Sequence, residues 1–455
     1  MEAGGDKAQL DPDASVDNAH LLDWATTRVK GRDEACKLAS DVAHQRGDLL
    51  SAVEFLNQGI ALRPASPAYH RDIAALYRKL FQYDAAQEHL AVAKSFAPNW
   101  SSIHSISGLV LRDLLKIDAA VAAQEKAIAL NTDLTSLCRP YYELSECYWL
   151  LGRFKEGWQA LAHSCQLSGA TDNVLSSHTL PIWTGWKSSQ PVAVICDRGI
   201  GDIIQFGRFI SCLARHSPGV TVVSRPELHP ILSQMEGVTG IAGRPGDKMT
   251  VGAYCLLSSL PGIAGTDMTN IPAQHRYVAA TPLKAAEWKQ RLDRHSSLDR
   301  LKIGLVWAGN PDHNSDFKRS MRLDDFSPFG NLQDVSLFSL QVGSRAIRPA
   351  DGAWPDWIVD FGNDIAPSFE DTMGLLANLD LVVTVDTAVA HLAGAMGVKT
   401  FVMLAFSPDG RWMLDRSDTP WYPSLRLFRQ PRWQDWAPVV QSVVGEVKHM
   451  TKMRA

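Results

Sequence analysis

Three runs of residues carry types and spacings that suit chemistry. The first is Cys196-Asp197-Arg198-Gly199-Ile200-Gly201-Asp202-Ile203-Ile204-Gln205-Phe206. An apolar stretch runs into two glycines and then into a helical pattern. Glycines 199 and 201 permit a tight turn with exposed N–H groups. Asp202, at the expected helix start, is placed to take a proton from an acceptor hydroxyl. An aspartate at that position is also a natural helix cap, and both readings stay open. The second run is Leu381-Val382-Val383-Thr384-Val385 followed by Asp386-Thr387 and the small-residue stretch to Gly397. A helix opening there offers free N–H groups and a positive dipole end to a diphosphate. Thr387 adds a hydroxyl, and His391, four residues on, shares its face. A capped helix with a buried histidine is the other reading. The third run is Trp307-Ala308-Gly309-Asn310-Pro311-Asp312-His313, followed by Phe317-Lys318-Arg319-Ser320. Lys318 or Arg319 could neutralise a leaving diphosphate; a solvated loop would carry the same pair.

No metal site is expected. The one short D-x-D run is Asp11-Pro12-Asp13 near the N-terminus, and no two histidines stand four apart beside a carboxylate. No bound cofactor is expected either.

Apolar strands and amphipathic stretches must position these runs. Seven strands are expected, at Val192–Cys196, Val220–Ser224, Ala253–Leu257, Lys302–Trp307, Ser336–Leu340, Leu381–Val385 and Thr400–Leu404. Continuous apolar strands alternating with helices indicate parallel sheets covered on both faces. The stretch is long enough for two sheets, joined near the charged segment Thr281–Arg300. Ligands of such sheets sit at the carboxyl ends of strands, where all three runs fall.

The preceding half lacks strand patterning and repeats instead. Ala52, Ala86 and Ala120 are 34 residues apart; Gly59, Ala93 and Ala127 keep the step, as do Pro64, Pro98 and Thr132. Small residues let paired helices approach and a proline ends the second one. The period and pattern resemble the tetratricopeptide repeat. A fourth unit, slightly out of phase, follows from Tyr142 to about Gly169. Such arrays bind a protein segment or dimerise, and the sequence does not choose. The expected organisation is a flexible segment over 1–32, repeats over 33–170, a linker over 171–190, and two parallel-sheet domains over 191–295 and 296–455, which the resemblance described below makes the acceptor and donor domains.

Lys plus Arg number 45 against 49 Asp plus Glu, which argues against nucleic acid as the main partner. Seven scattered cysteines without a C-x-x-C pair fit reduced thiols in a cytoplasmic protein better than a disulfide framework. No apolar run has the length of a membrane span, and no signal segment is visible.

GIGDIIQFGRF, IGLVWAGNP, VVTVDTAVAHLAGAMG and RWMLDRSDTPWYPSLRLFRQP together resemble bacterial proteins that join tetratricopeptide repeats to a heptosyltransferase-like glycosyltransferase of family 9 type. The resemblance covers about 185–440. It implies an α + α/β chain in which helical repeats precede a GT-B pair of Rossmann-like domains. It implies metal-independent transfer from a nucleotide-sugar, with Asp202 as the acceptor-side base. Asp386, Thr387 and His391 would hold the donor, Gly201 would line its turn, and Lys318 or Arg319 would face the phosphates. Asp197-Arg198 stands where the relatives more often carry Glu-Gln. The implied acceptor is Ser or Thr of a protein gripped by the repeats, as in flagellin-type O-glycosylation. A polysaccharide transferase whose repeats dock a partner, and a non-catalytic scaffold, are the alternatives.

Overall fold

The structure is a computed structural model that describes residues 17–167, 180–243, 247, 249–272, 276–343 and 354–454. Asp11-Pro12-Asp13 and residues 171–179 of the expected linker lie outside these residues. The chain divides into two compact units, Met1–Glu143 and Leu144–Ala455.

In the first unit, three helix pairs follow one another: Arg32–Gln45 with Leu49–Leu62, Pro67–Lys79 with Tyr83–Phe96, and Ser101–Asp113 with Ile117–Ala129. Ala52, Ala86 and Ala120 are wholly buried, because a larger side chain there would hold the paired helices apart. The 34-residue period also appears in hydrogen bonds. His70 Nε2 donates to the carbonyl of Pro64 at 3.0 Å, and His104 Nε2 donates to that of Pro98 at 2.8 Å. Buried ion pairs tie successive pairs together: Arg78 with Asp113 at 2.6 Å, and Arg112 with Glu143 at 2.6 Å. Helices Cys138–Leu150 and Phe154–Leu167 come next in the chain.

The second unit holds two parallel sheets. The first has strands β1 (Val192–Ile195), β2 (Val220–Val223), β3 (Val238–Ala242) and β4 (Ala253–Leu256), in the order β3-β2-β1-β4. The other has β5 (Leu301–Val306), β6 (Val335–Ser339), β7 (Val359–Asp360), β8 (Leu381–Val385), β9 (Thr400–Leu404) and β10 (Leu425–Arg429), in the order β10-β9-β8-β5-β6-β7. Renumbered from β5, the second order is the 3-2-1-4-5-6 arrangement of a dinucleotide-binding sheet. The chain reverses its direction of winding beside β1 in one sheet and between β5 and β8 in the other. Loops leaving the carboxyl ends of these strands part there and open a crevice. The three sequence runs follow β1, β5 and β8.

Strands β1, β4, β6, β8 and β9 are buried along their length, which is why they read as continuous apolar runs. The three strands missing from the sequence reading lack that signal. Strand β3 is mostly half-exposed and carries Gly240, β7 has two residues, and β10 is an edge strand with exposed Arg426. Helix Pro282–Asp293, in the charged segment, packs against helix Phe369–Leu376. Thr281 caps it, and both Lys284 Nζ (2.8 Å) and Trp288 Nε1 (3.1 Å) donate to Asp371.

Candidate active site

Helix Ile200–Gly207 leaves β1 after Gly199, and Asp202 is the third residue of its first turn. Gly199, not Asp202, occupies the cap position, and the Asp202 side chain pairs with the Arg411 guanidinium. Helix Ala388–Ala395 leaves β8 after Asp386 and Thr387. Thr387 occupies the cap position but its hydroxyl does not cap; it meets Thr384 Oγ1 at 3.1 Å. Thr384 already donates to the Val385 carbonyl at 2.8 Å, so the Thr387 proton points to Thr384. The two helices pack together, and Gly201 marks the closest approach. A Cβ at 201 would lie 2.7 Å from His391 Cδ2. Gly394, one turn past His391, similarly admits the Tyr422 ring, which a Cβ would meet at 2.5 Å.

His391 is buried, stacked on Trp412 with centroids 5.4 Å apart. Its Nδ1 lies 3.0 Å from the Tyr422 hydroxyl and its Nε2 lies 3.4 Å from Arg411. Arginine can only donate, so Nε2 accepts and the proton sits on Nδ1. Burial, reinforced by Arg411, pushes the imidazole well below its ordinary value, so His391 is neutral.

Arg411 forms the centre of this cluster, on the short 3₁₀ turn Gly410–Trp412 that follows β9. Besides Asp202, its guanidinium donates to Asp409 Oδ1 (2.7 Å), Asp409 Oδ2 (3.2 Å) and Gln205 Oε1 (2.7 Å). Burial opposes the charge, but Asp409 and Asp202 raise the Arg411 value well above that of an ordinary guanidinium. Burial also works against the Asp409 charge, yet Arg411 holds Asp409 well below the usual carboxylate range. Asp386 goes the other way. Burial raises it, with Arg319 opposing and Asp409 adding to the rise. The two aspartates are thus set apart, one firmly ionised and one biased toward its acid form.

Arg319, in the cation pair after β5, offsets part of the rise that burial imposes on Asp386. It lies 3.5 Å from buried Asp316, whose carboxylate accepts from Ser320 Oγ at 2.7 Å. Lys318 is buried, with its ammonium 5.8 Å from the Phe317 ring centre and 5.7 Å from that of Trp433. Asp197, beside the first turn, accepts from Ser258 N (3.1 Å) and Oγ (2.6 Å) and so anchors the loop after β4. The sequence reading gave no role to Arg411, Asp409, Gln205 or Tyr422. The available signal was Asp409-Gly410-Arg411 close after an apolar strand, since strand ends are where ligands sit.

The crevice thus offers a first-turn carboxylate, a helix start, a neutral imidazole and two guanidiniums. Residues 365–442 match the model of glycosyltransferase family 9 (heptosyltransferase). The matched segment lies in the C-terminal part of the chain. It includes Asp386, Thr387, His391, Asp409 and Arg411. Over 389 residues the chain is 23% identical to Protein FlbA of Caulobacter vibrioides, an overlap of 77% of this chain. The same overlap spans 62% of the length of that relative. Among solved structures, MamA is similar over 33% of this chain and 87% of its own (16% identity, TM-score 0.29). TTC0263, a thermophilic TPR protein in Thermus thermophilus, is similar over 33% of this chain and 81% of its own (19% identity, TM-score 0.30). The repeats are recognised from their helix pairs and the 34-residue register of Ala52, Ala86 and Ala120. The chain therefore joins tetratricopeptide-type repeats to a GT-B-like pair of parallel-sheet halves. No helix among the described residues is long and apolar enough to cross a membrane, and none of the seven cysteines is in a disulfide.

Proposed function

We propose that the protein transfers a sugar from a nucleotide-sugar to a hydroxyl, and that the acceptor is Ser or Thr of a protein held by the repeats. One observation carries the reading of the site. Asp202, after β1, and Asp386-Thr387-His391, after β8, come together where both sheets change winding direction, with Arg411 bonded to both Asp202 and His391. The family 9 segment supports sugar transfer as the chemistry.

In this reading the acceptor oxygen attacks the anomeric carbon and its proton passes to Asp202. The bond from that carbon to the phosphate oxygen breaks, and its electron pair stays on the phosphate. The helix start after Thr387 and the Arg319 charge stabilise the departing anion without a metal. Neutral His391 does not exchange protons at neutral pH; its ring sets the spacing between the Asp202 helix and the donor helix. The repeats suit a protein acceptor, because stacked helix pairs present an extended surface for a polypeptide.

Intact-mass spectrometry of cell proteins with and without the gene tests the proposal. Loss of a sugar mass from a protein, restored by the wild-type gene and not by Asp202→Asn, is expected. A sugar lost from a polysaccharide, with every protein mass unchanged, would refute the protein acceptor.

A further inference from the structure

We propose that Arg411 is the cation that receives the donor's diphosphate, and that until it does so it holds a carboxylate oxygen of Asp202 away from the acceptor hydroxyl. This rests on the donor-site reading above. A guanidinium has five N–H donors, and acceptors surround all of them here. They are both oxygens of Asp409, Gln205 Oε1, His391 Nε2 and a carboxylate oxygen of Asp202. Asp202 and Gln205 come from the helix after β1, whereas Asp409 and His391 come from the other half. The side chain therefore straps the two halves together across the crevice in which the donor would bind.

The strap also stands in the way of the chemistry. The Asp202 oxygen that accepts from Arg411 is taken up by that N–H donor and is not open to an acceptor hydroxyl. A diphosphate entering beside Asp202 and Asp409 also meets their two carboxyl groups. One movement resolves both problems. A phosphate offers the guanidinium the same two-oxygen geometry as a carboxylate, with more charge. When the guanidinium turns to the phosphate, the phosphate gains its counter-charge and Asp202 is released.

The surrounding structure confines that movement to the side chain. The Arg411 carbonyl accepts from Trp421 Nε1 at 3.1 Å, and the Trp412 carbonyl accepts from Arg429 at 2.7 Å. The chain beyond is held in a strained form, with Met413 at φ 52° and Asp415 at φ 53°, a region side-chain-bearing residues rarely adopt. Strain of this kind persists only where neighbours enforce it, which marks the turn as a fixed platform for a switching side chain.

Titration calorimetry of the full chain with inorganic pyrophosphate tests the proposal, on wild type, Arg411→Gln, Asp202→Asn, the double variant and Thr387→Val. Arg411→Gln should bind at least tenfold more weakly. Asp202→Asn should bind at least threefold more tightly, because the competing carboxylate is gone. In the double variant that gain should vanish, since it acts through Arg411. A gain that persists without Arg411 would show simple relief of repulsion and overturn the strap. So would Asp202→Asn binding no better than wild type, an outcome readable even if Arg411→Gln fails to fold. If Thr387→Val weakens pyrophosphate binding and Arg411→Gln does not, the strap falls and the donor site stands. If neither wild type nor Asp202→Asn binds pyrophosphate, both fall.

Discussion

Replacing Gly201 by Ala probes the meeting of the two halves with a single methyl group. The added Cβ would lie 2.7 Å from His391 Cδ2 and 3.3 Å from Nε2. That is about 0.7 Å short of ordinary carbon–carbon contact. The ring cannot yield, because it is buried, stacked on Trp412 and bonded to Tyr422. The helices after β1 and β8 must separate instead. Overpacking of this kind costs about 1–3 kcal/mol. Position 201 lies inside a helix, where alanine is better than glycine by up to about 1 kcal/mol. The net expectation is a loss of about 0–2 kcal/mol in urea unfolding at constant slope. Under the proposed function transfer should suffer more, because displacing Asp202 from the helix after β8 by a fraction of an ångström would misalign the groups assigned to the reaction. Transfer should fall about tenfold or more. The assays are the urea midpoint and the sugar mass restored to the acceptor in cells lacking the native gene. A Gly201→Ala protein that is about 1 kcal/mol more stable, with wild-type transfer, would refute the reasoning. It would show that only helix propensity matters at 201 and that the halves do not meet there in the working enzyme.

Two aspartates in the cluster should respond to pH with opposite signs. Asp409, held below the usual range, contributes stability at neutral pH that is lost as pH falls from about 4 through its folded value. Asp409→Asn should therefore lower Tm at pH 7 and lose that deficit in acid. Asp386, raised by burial, favours the fold in its acid form, and that contribution disappears as pH rises through its folded value. Asp386→Asn should raise Tm at pH 7 and leave it unchanged near pH 4; the same sign for both variants would contradict the assignments. Nitrogen-15 spectra should show His391 as neutral and not titrating between pH 6 and 8, with its proton on Nδ1. In the repeats, Arg78→Met takes the guanidinium away from the fully buried Asp113 carboxylate and should cost about 3–5 kcal/mol by thermal unfolding. Adding Asp113→Leu should recover much of that loss. Transfer should survive a chelator, since the proposed phosphate partners are side chains and a helix start.

What the sequence made legible follows from what leaves a local signal. The 34-residue step of Ala52, Ala86 and Ala120 survives because each alanine sits at the same buried crossing of paired helices. Strands buried on both faces announce themselves as apolar runs, and Asp202 and Asp386 could be singled out because they follow such runs. Half-exposed β3 and edge strand β10 carry polar residues and left no such run. The cation pair after β5 was visible, but side-chain direction was not. The Lys318 ammonium lies near the Phe317 and Trp433 rings, and the Arg319 guanidinium lies beside Asp316. Arg411 stood in a visible run, but its contacts were illegible for a different reason. Its partners Asp202 and Gln205 lie 209 and 206 residues back, and no periodicity joins a loop turn to a helix that remote.

The central claim is that the turn after β8 binds an activated sugar through its diphosphate. The most direct measurement is a crystal structure of the full chain soaked with nucleoside diphosphates. The account predicts phosphate density against the backbone N–H groups that open helix Ala388–Ala395, beside Thr387. Density for the nucleotide elsewhere, with the Thr387 hydroxyl still turned to Thr384, would contradict it.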